Sequence, residues 1–417
     1  MKVVIAHNLY SSAQPSGENE IVATESRQLA EAGVTVLPLR RASDDIAALP
    51  AGRKALLPFS PIYNAGAQRE LTELIRRERP DVLHLHNPYP LLSPWVVRTA
   101  HRHGVPVVQT VHNYRHVCAA ATYFRDGHPC HDCLGKRYPT PAIRHACYRG
   151  STAQSVVMAT TLAVHRGTWR GVDRFIALAP HLADHLKTFG ITDAQIALKP
   201  NGIPDPGEPD DSTGDGFLYF GRLTPEKGVE LLLDAWQRHS DGEHGTLRIA
   251  GDGPLRDRVQ AVAAARADVE YLGLVDHAEV VPGLIRAASV VVVPSTYADA
   301  LPTVILEALA SGRPVLGTNV GGTPYLLGLD PQHEPAEPAP GWVVEPEPAA
   351  LADALAMARL RAAPLRPAAR HRYRTAFAPD VLLRRLIGLY EEVAADARTA
   401  TATAPRAQRG SPGGARQ

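Results

Sequence analysis

The stretch "GRLTPEKGVELLLDAW" runs from Gly221 to Trp236, behind the short apolar run "FLYF" (Phe217–Phe220). The apolar run reads as a buried strand. The segment after it carries apolar residues at helical spacing. Between them stand Arg222 and Lys227, five residues apart and each beside a glycine. A strand-to-helix turn offers unpaired backbone N–H groups and the positive end of a helix dipole. Arginine can grip two oxygens at once, and lysine adds a mobile point charge. The pattern predicts a diphosphate site; the competing reading is an ordinary helix start with surface charges.

A companion lies downstream. "STYADALPTVILEALASGRPV" (Ser295–Val315) follows the strand-like "SVVVVP". Pro302 suits the first position of a helix, where no N–H is needed. Thr303 and Val304 would then present N–H groups to an anion, with Ala300 and Leu301 in the turn before them. Glu307, one to two turns into the helix, is placed to hold two ribose hydroxyls, and Asp299 in the loop is placed to hold hydroxyls of a sugar. A solvated helix face is the plain alternative for Glu307, but its apolar neighbours argue for a half-buried position.

Outward from these two stretches, continuous apolar runs alternate with helical segments along most of the chain. "KVVIAH", "VTVLPL", "DVLHLHN", "VPVVQTVH" and "DRFIALA" precede the break; "FLYFG", "TLRIAG", "VEYLG", "SVVVVPS", "RPVLGT" and "GWVVEP" follow it. Such runs signal parallel sheets covered on both faces. The break, "NGIPDPGEPDDSTGDG" (Asn201–Gly216), is a linker by composition. The predicted organisation is α/β. A Rossmann-like domain spans residues 1–200, a linker 201–216, a second Rossmann-like domain 217–378, a C-terminal helix 379–397 and a disordered tail 398–417. Ligands of doubly wound sheets bind at the carboxyl ends of the strands, so two such domains make a cleft with a site on each wall.

The chain has 417 residues, with 44 Lys and Arg against 43 Asp and Glu. That balance makes no case for nucleic acid, and any attraction for anions must be local. The N-terminus lacks a signal-peptide core, and no apolar stretch reaches the length of a membrane span. The expectation is a cytoplasmic protein with at most peripheral membrane contact.

The first half carries its own candidates. Gly17 follows strand one, where a glycine lets backbone approach a phosphate. Glu20 either touches the acceptor or covers the first helical turn. His112 ends a strand and either meets substrate or caps the strand end. His84 and His86 alternate in "DVLHLHN" and so point the same way, at least one toward the cleft. A His-x-His zinc pair is the weaker reading, because no third ligand is near in sequence. Asn87 joins His86 on the acceptor side.

Residues 113–150 form a long insertion without periodicity that holds all four cysteines, Cys118, Cys130, Cys133 and Cys147. Cys130-x2-Cys133 has metal-knuckle spacing, and the other two complete a set for a structural zinc. Disulfide or redox pairing and free thiols are the other readings. Four thiolates would close a coordination sphere, which argues against a catalytic metal.

Taken together, "GRLTPEKG", "AGDGPLRDRV", "VEYLGLV" and "LPTVILEALASGRPV" resemble the second domain of retaining glycosyltransferase family 4, of GT-B fold. "SGENEIV", "RPDVLHLHNPYPLLSP", "VVQTVHNYRHVC", "FRDGHPCHDCLG" and "VDRFIALA" resemble one branch of that family. The resemblance covers residues 1–395. It implies two doubly wound Rossmann-like domains facing across a cleft. It implies transfer of a sugar from a nucleoside diphosphate sugar to an acceptor hydroxyl, with retention by front-face displacement and no cofactor required for catalysis. By the same resemblance Arg222 and Lys227 hold the diphosphate, Glu307 takes the ribose, Gly17 contributes from the opposite wall and His112 lies near the reacting sugar. The chain departs from the family at Asp299, where the family has glutamate, and at Tyr325, where a glutamate often follows the proline. The implied acceptor is a small molecule or a lipid-linked glycan. Two other readings are a sugar phosphorylase or epimerase on the same fold, and a non-catalytic nucleotide-sugar-binding subunit, which Asp299 keeps open.

Overall fold

A computed structural model describes residues 1–12, 17–54, 57–209, 211–333 and 335–403. Six parallel strands form the first sheet: β1 (Lys2–Leu9), β2 (Thr35–Ala42), β3 (Val82–Leu85), β4 (Val107–Val111), β5 (Arg174–Ala177) and β6 (Ile196–Leu198), in the order β2-β1-β3-β4-β5-β6. Six more form the second: β7 (Phe217–Phe220), β8 (Leu247–Ala250), β9 (Val269–Gly273), β10 (Val290–Val293), β11 (Val315–Thr318) and β12 (Gly341–Val344), in the order β9-β8-β7-β10-β11-β12. Nearly every residue of β1, β3, β4, β7 and β10 is buried, as continuous apolar runs between helical layers require.

The order reverses between β1 and β3 in the first sheet and between β7 and β10 in the second. Chains leaving neighbouring strands in opposite directions open a crevice there, where ligands of such sheets bind. The loops after β1, β3, β7 and β10 carry Gly17, His86, Arg222 and Asp299 respectively.

Five helices frame the cleft and its supports: α1 (Gly17–Glu31), α2 (Thr152–Arg170), α3 (Val229–Trp236), α4 (Thr303–Ala310) and α5 (Pro379–Thr403). The C-terminal helix is longer than the expected 379–397. It continues to Thr403, so the predicted tail is helical over residues 398–403, and its remainder lies outside the described residues. The segment "RTATAT" contains no breaker, and the first proline after it is Pro405. Pro302 sits one position earlier than predicted, as the N-cap of α4 rather than its first residue.

Helix α5 packs on the first sheet although it follows the second domain in sequence. Leu386, Tyr390 and Val393 join Val3, Ile5, Val22 and Leu29 in one buried cluster. The two crossings between domains are tied together near the linker. Arg370 donates to both oxygens of Asp205 (2.8 and 3.0 Å), Tyr373 Oη donates to the Ile203 carbonyl (2.9 Å), and Arg374 pairs with Glu208.

Candidate functional site

On the second-domain wall the turn after β7 tightens into a short 3-10 turn, Pro225–Lys227, before α3. Gly228 adopts φ 72°, and a Cβ there would fall 1.7 Å from the Pro294 carbonyl oxygen. Only glycine fits where these two loops touch. Thr296 N–H donates to the Glu226 carbonyl (3.0 Å) across the same contact. The contact points Lys227 at the loop after β10, where its ammonium pairs with the Asp299 carboxylate. Gly321, at φ 59°, approaches from the other side; a Cβ there would lie 2.6 Å from the Asp299 nitrogen.

Burial alone would raise the Asp299 pKa, but the Lys227 ammonium holds the carboxyl below its ordinary range. Asp299 is therefore an anion committed to a cation. Lys227 Nζ also lies 5.4 Å from the Tyr297 ring centre. Arg222 behaves differently. Its side chain is 64% exposed, and its guanidinium is 3.5 Å from Glu226 Oε1. Thr303 and Val304 open α4, whose first N–H groups lack partners within the helix. Ala300 and Leu301 form the approach to it, with Leu301 buried. Glu307 is half-buried, its Oε2 3.1 Å from His277 Nε2, and that bond raises the His277 pKa.

The first-domain wall is built from side chains gathered between Glu18 and Tyr390. His84 and His86 project to the same side of β3, with ring centres 4.1 Å apart. His86 Nδ1 is 3.0 Å from His112 Nε2, at the end of β4. His84 turns away from the cleft, with Nδ1 2.6 Å from Tyr390 Oη on α5 and Nε2 2.8 Å from Thr110 Oγ1. Behind the pair stands Glu25 of α1, 3.7 Å from His86 Nε2 and 3.6 Å from His84 Nδ1, with Lys199 Nζ 2.8 Å from its other oxygen. Burial alone would raise Glu25; the Lys199 charge holds it below its ordinary value. Burial pushes His84 and His112 down to about 4 and His86 well below its ordinary value, so all three imidazoles are neutral at pH 7.

The third acid near the His-x-His pair thus exists, but tertiary contact supplies it. The oxygens and nitrogens of Glu25, His84 and His86 lie within 4.8 Å of one another. Lys199 already neutralises that carboxylate, which speaks against a divalent ion there.

Glu20 is exposed on α1. The inward stripe is Glu18, Val22, Glu25 and Leu29, at helical spacing, and Glu20 lies about 200° around the helix from Glu18. Glu18 lines a cavity with His86, Asn87, His112, Asn113 and Arg115. It accepts from Tyr10 Oη (3.0 Å), and burial raises its pKa. Asn87 donates through Nδ2 to the Asn8 carbonyl (3.0 Å) and accepts from Tyr89 N–H through Oδ1 (3.0 Å), which fixes the loop after β3. Gly17 opens α1, with no atom within 4 Å of where a Cβ would stand. Sequence reasoning missed Glu18, Glu25, Lys199 and Arg115. The acid–apolar stripe of α1 was the one available signal for the first two.

The insertion meets the second-domain wall directly. Tyr114 Oη donates to the Ala298 carbonyl (2.7 Å), next to Asp299, and the Phe124 and Tyr297 rings are 6.4 Å apart. The four cysteines are unpaired and line one cavity together. Burial pushes the Cys133 thiol up to about 11 and raises Cys147. Tyr325 is buried in the short helix Thr323–Leu326, and its carbonyl accepts from Arg372 (3.0 Å).

Comparison with known proteins agrees with this geometry. Residues 4–202 match the glycosyl transferase 4-like domain, and residues 214–358 match glycosyl transferases group 1. A glycogen synthase of Mycobacterium tuberculosis is 30% identical over 272 residues, which is 63% of this chain and 57% of that protein. A 2-deoxystreptamine N-acetyl-D-glucosaminyltransferase of Streptomyces fradiae is 28% identical over 306 residues, covering 71% and 66%. The match thus covers less than two thirds of either relative's length. Among solved structures, Anabaena Alr3699/HepE in complex with UDP superposes with a TM-score of 0.62 at 15% identity, over 94% of this chain and 100% of that one. Among the described residues no helix is long and apolar enough to cross a membrane. The chain thus pairs a glycosyl transferase 4-like domain on one side of the cleft with a glycosyl transferases group 1 domain on the other, the two matches together spanning most of its length.

Proposed function

We propose that the protein transfers a sugar from a nucleoside diphosphate sugar to a hydroxyl of a small polar acceptor, with retention at the anomeric carbon. The observation that carries this reading is the Lys227–Asp299 pair, set at the switch point of the second sheet beside the first turn of α4. Departure of a diphosphate builds negative charge on its oxygens. Cations and N–H groups already in place stabilise that charge without reorganising. Lys227 and the exposed Arg222 supply the cations, and Thr303 and Val304 the N–H groups. Glu307 takes the ribose, and Asp299 holds donor-sugar hydroxyls while sharing Lys227 with the diphosphate. The Anabaena neighbour is in complex with UDP, which favours a nucleotide of this class as donor.

Charge bears on how retention would be achieved. Asp299 is tied to an ammonium and is a weak nucleophile, so a covalent glycosyl intermediate on it is disfavoured. Front-face displacement, with the leaving phosphate oxygen taking the acceptor proton, fits better. On the opposite wall two neutral imidazoles 3.0 Å apart must share one proton. The nearby Glu25 anion favours a proton on His86 Nε2. His86 Nδ1 then accepts from His112 Nε2–H, and His112 Nδ1 is left as an acceptor for a substrate hydroxyl. His86 and Glu25 are positioning residues in this scheme.

The test is a thermal-shift panel of nucleotides and nucleotide sugars, followed by product analysis with polyhydroxylated acceptors. A ligand that binds the folded form must raise Tm. The expected result is a shift with one nucleoside diphosphate that is lost in Arg222→Ala, and an α-linked product from an α-linked donor by NMR. Turnover with inversion would overturn the retaining mechanism; nucleotide binding without turnover on any acceptor would overturn the transferase reading.

A further inference from the structure

All four cysteines of the chain sit in residues 113–150, and folding brings them round one cavity of about 20 Å³, enough for a single small body. The rest of its lining is Ala, Pro and aromatic, apart from Arg125 and Asp132. The backbone is bent tightly around them. Of the non-glycine residues with positive φ among the described residues, Ala121, Tyr123, Asp126, Ala146 and Arg149 lie within five positions of a cysteine. Such conformations persist only where surrounding structure holds them. The surroundings here are thin, because residues 126–129 and 134–138 are exposed and the hairpin Phe124–Pro129 has two residues a side.

We propose that Cys118, Cys130, Cys133 and Cys147 bind one Zn²⁺ as a closed structural site, and that this staple holds Tyr114 and Phe124 against the donor-side loop. Zinc with four thiolates carries two negative charges; Arg125 lies on the same cavity, its guanidinium bonded to Asp126 (3.1 Å) and Asp132 (3.0 Å). Thiolates around zinc sit about 3.8 Å apart, as follows from a Zn–S bond of about 2.3 Å in a tetrahedron. Among the described residues no three cysteine sulfurs fall within 4.8 Å of one another, so binding the metal requires the loop to close in to the shorter thiolate spacing. The path to the cleft is short. Cys118 N–H donates to the Tyr114 carbonyl (2.9 Å), and Cys130 N–H to the Tyr123 carbonyl (2.7 Å). Tyr114 reaches the Ala298 carbonyl, next to Asp299, and Phe124, the residue after Tyr123, reaches Tyr297.

The experiment begins with the wild-type chain purified under reductant without chelator. Metal content by mass spectrometry should be one zinc per chain, released when the thiols are titrated with a mercurial. Cobalt should replace it and give the intense visible bands of tetrahedral thiolate coordination. Cys130→Ser and Cys133→Ser should each lose metal and melt earlier. Tyr114→Phe should keep its zinc and weaken donor binding several-fold, which separates the staple from the contact it holds. A chain that carries two disulfides, or four free thiols that take up neither zinc nor cobalt, overturns the proposal. The metal readouts stand whether or not transfer is observed.

Discussion

The two walls of the cleft share a sheet architecture and differ in how they hold charge. The second-domain wall is written in two contiguous stretches, 221–236 and 295–315, and keeps Arg222 in solvent and Lys227 one contact from it. The first-domain wall gathers Glu25, His84, His86, His112, Lys199 and Tyr390 from strand ends and two distant helices, and buries four of the six. The difference teaches a division of labour. On the proposed function, cations already in place on the second wall stabilise a departing diphosphate, whereas the first wall keeps a fixed lone pair because burial holds its imidazoles neutral.

The sharpest way to break this contrast is Lys227→Met. It removes charge where leaving-group charge develops, so kcat should fall on the order of 10²–10³-fold and nucleoside diphosphate affinity should fall with it. Steady-state kinetics with calorimetric titration would show both; an unchanged kcat would remove Lys227 from the chemistry. His112→Ala should cost on the order of 10²-fold in kcat while leaving nucleotide affinity intact, the converse signature. If both variants lose nucleotide equally, the walls do not divide the task.

A pH series probes the buried histidines, among which burial also lowers His116, His165 and His181. His84 and His112 have folded pKa values near 4, below the ordinary 6.5. The unfolded chain binds protons first, so their contribution to stability is present above pH 6.5 and is lost as pH falls from 6.5 toward 4, at about 1.4 kcal/mol per unit for each. Asp299 and Glu25, held below their ordinary values, lose stability in the same direction at lower pH still. Tm should therefore drop steeply between pH 6.5 and 4.5. Replacing His84 by Gln should flatten the slope, and an unaltered slope would place the titration elsewhere. The smallest effect is on the exposed side. Glu307→Gln should weaken nucleoside affinity by about tenfold through a lost charged hydrogen bond. It should also return the His277 pKa, now raised by that carboxylate, toward 6.5. Proton NMR of the His277 ring checks it.

Legibility followed the same division. Arg222, Lys227, Asp299 and Glu307 could be singled out as candidates because a strand-to-helix turn and a helix start are local structures, set by glycine, proline and apolar period within about 20 residues. Glu18 and Glu25 were half visible, as acids on the apolar stripe of α1, while Glu20 drew the eye by position and points to solvent. Lys199 and Tyr390 carried no signal, since a lysine at a strand end and a tyrosine on a helix are ordinary.

By itself the sequence determined two doubly wound sheets and the strand-to-helix turn that carries Arg222 and Lys227, because hydrophobic period and turn chemistry act over a few residues. Tertiary structure alone decided that α5 returns to the first sheet, that Glu25 and Lys199 meet behind the histidines, and that the cysteine loop leans on Ala298. Those contacts join residues 174 to 306 positions apart. Partners so distant in sequence are selected by burial and charge pairing once the sheets have stacked, and no short-range pattern encodes that choice.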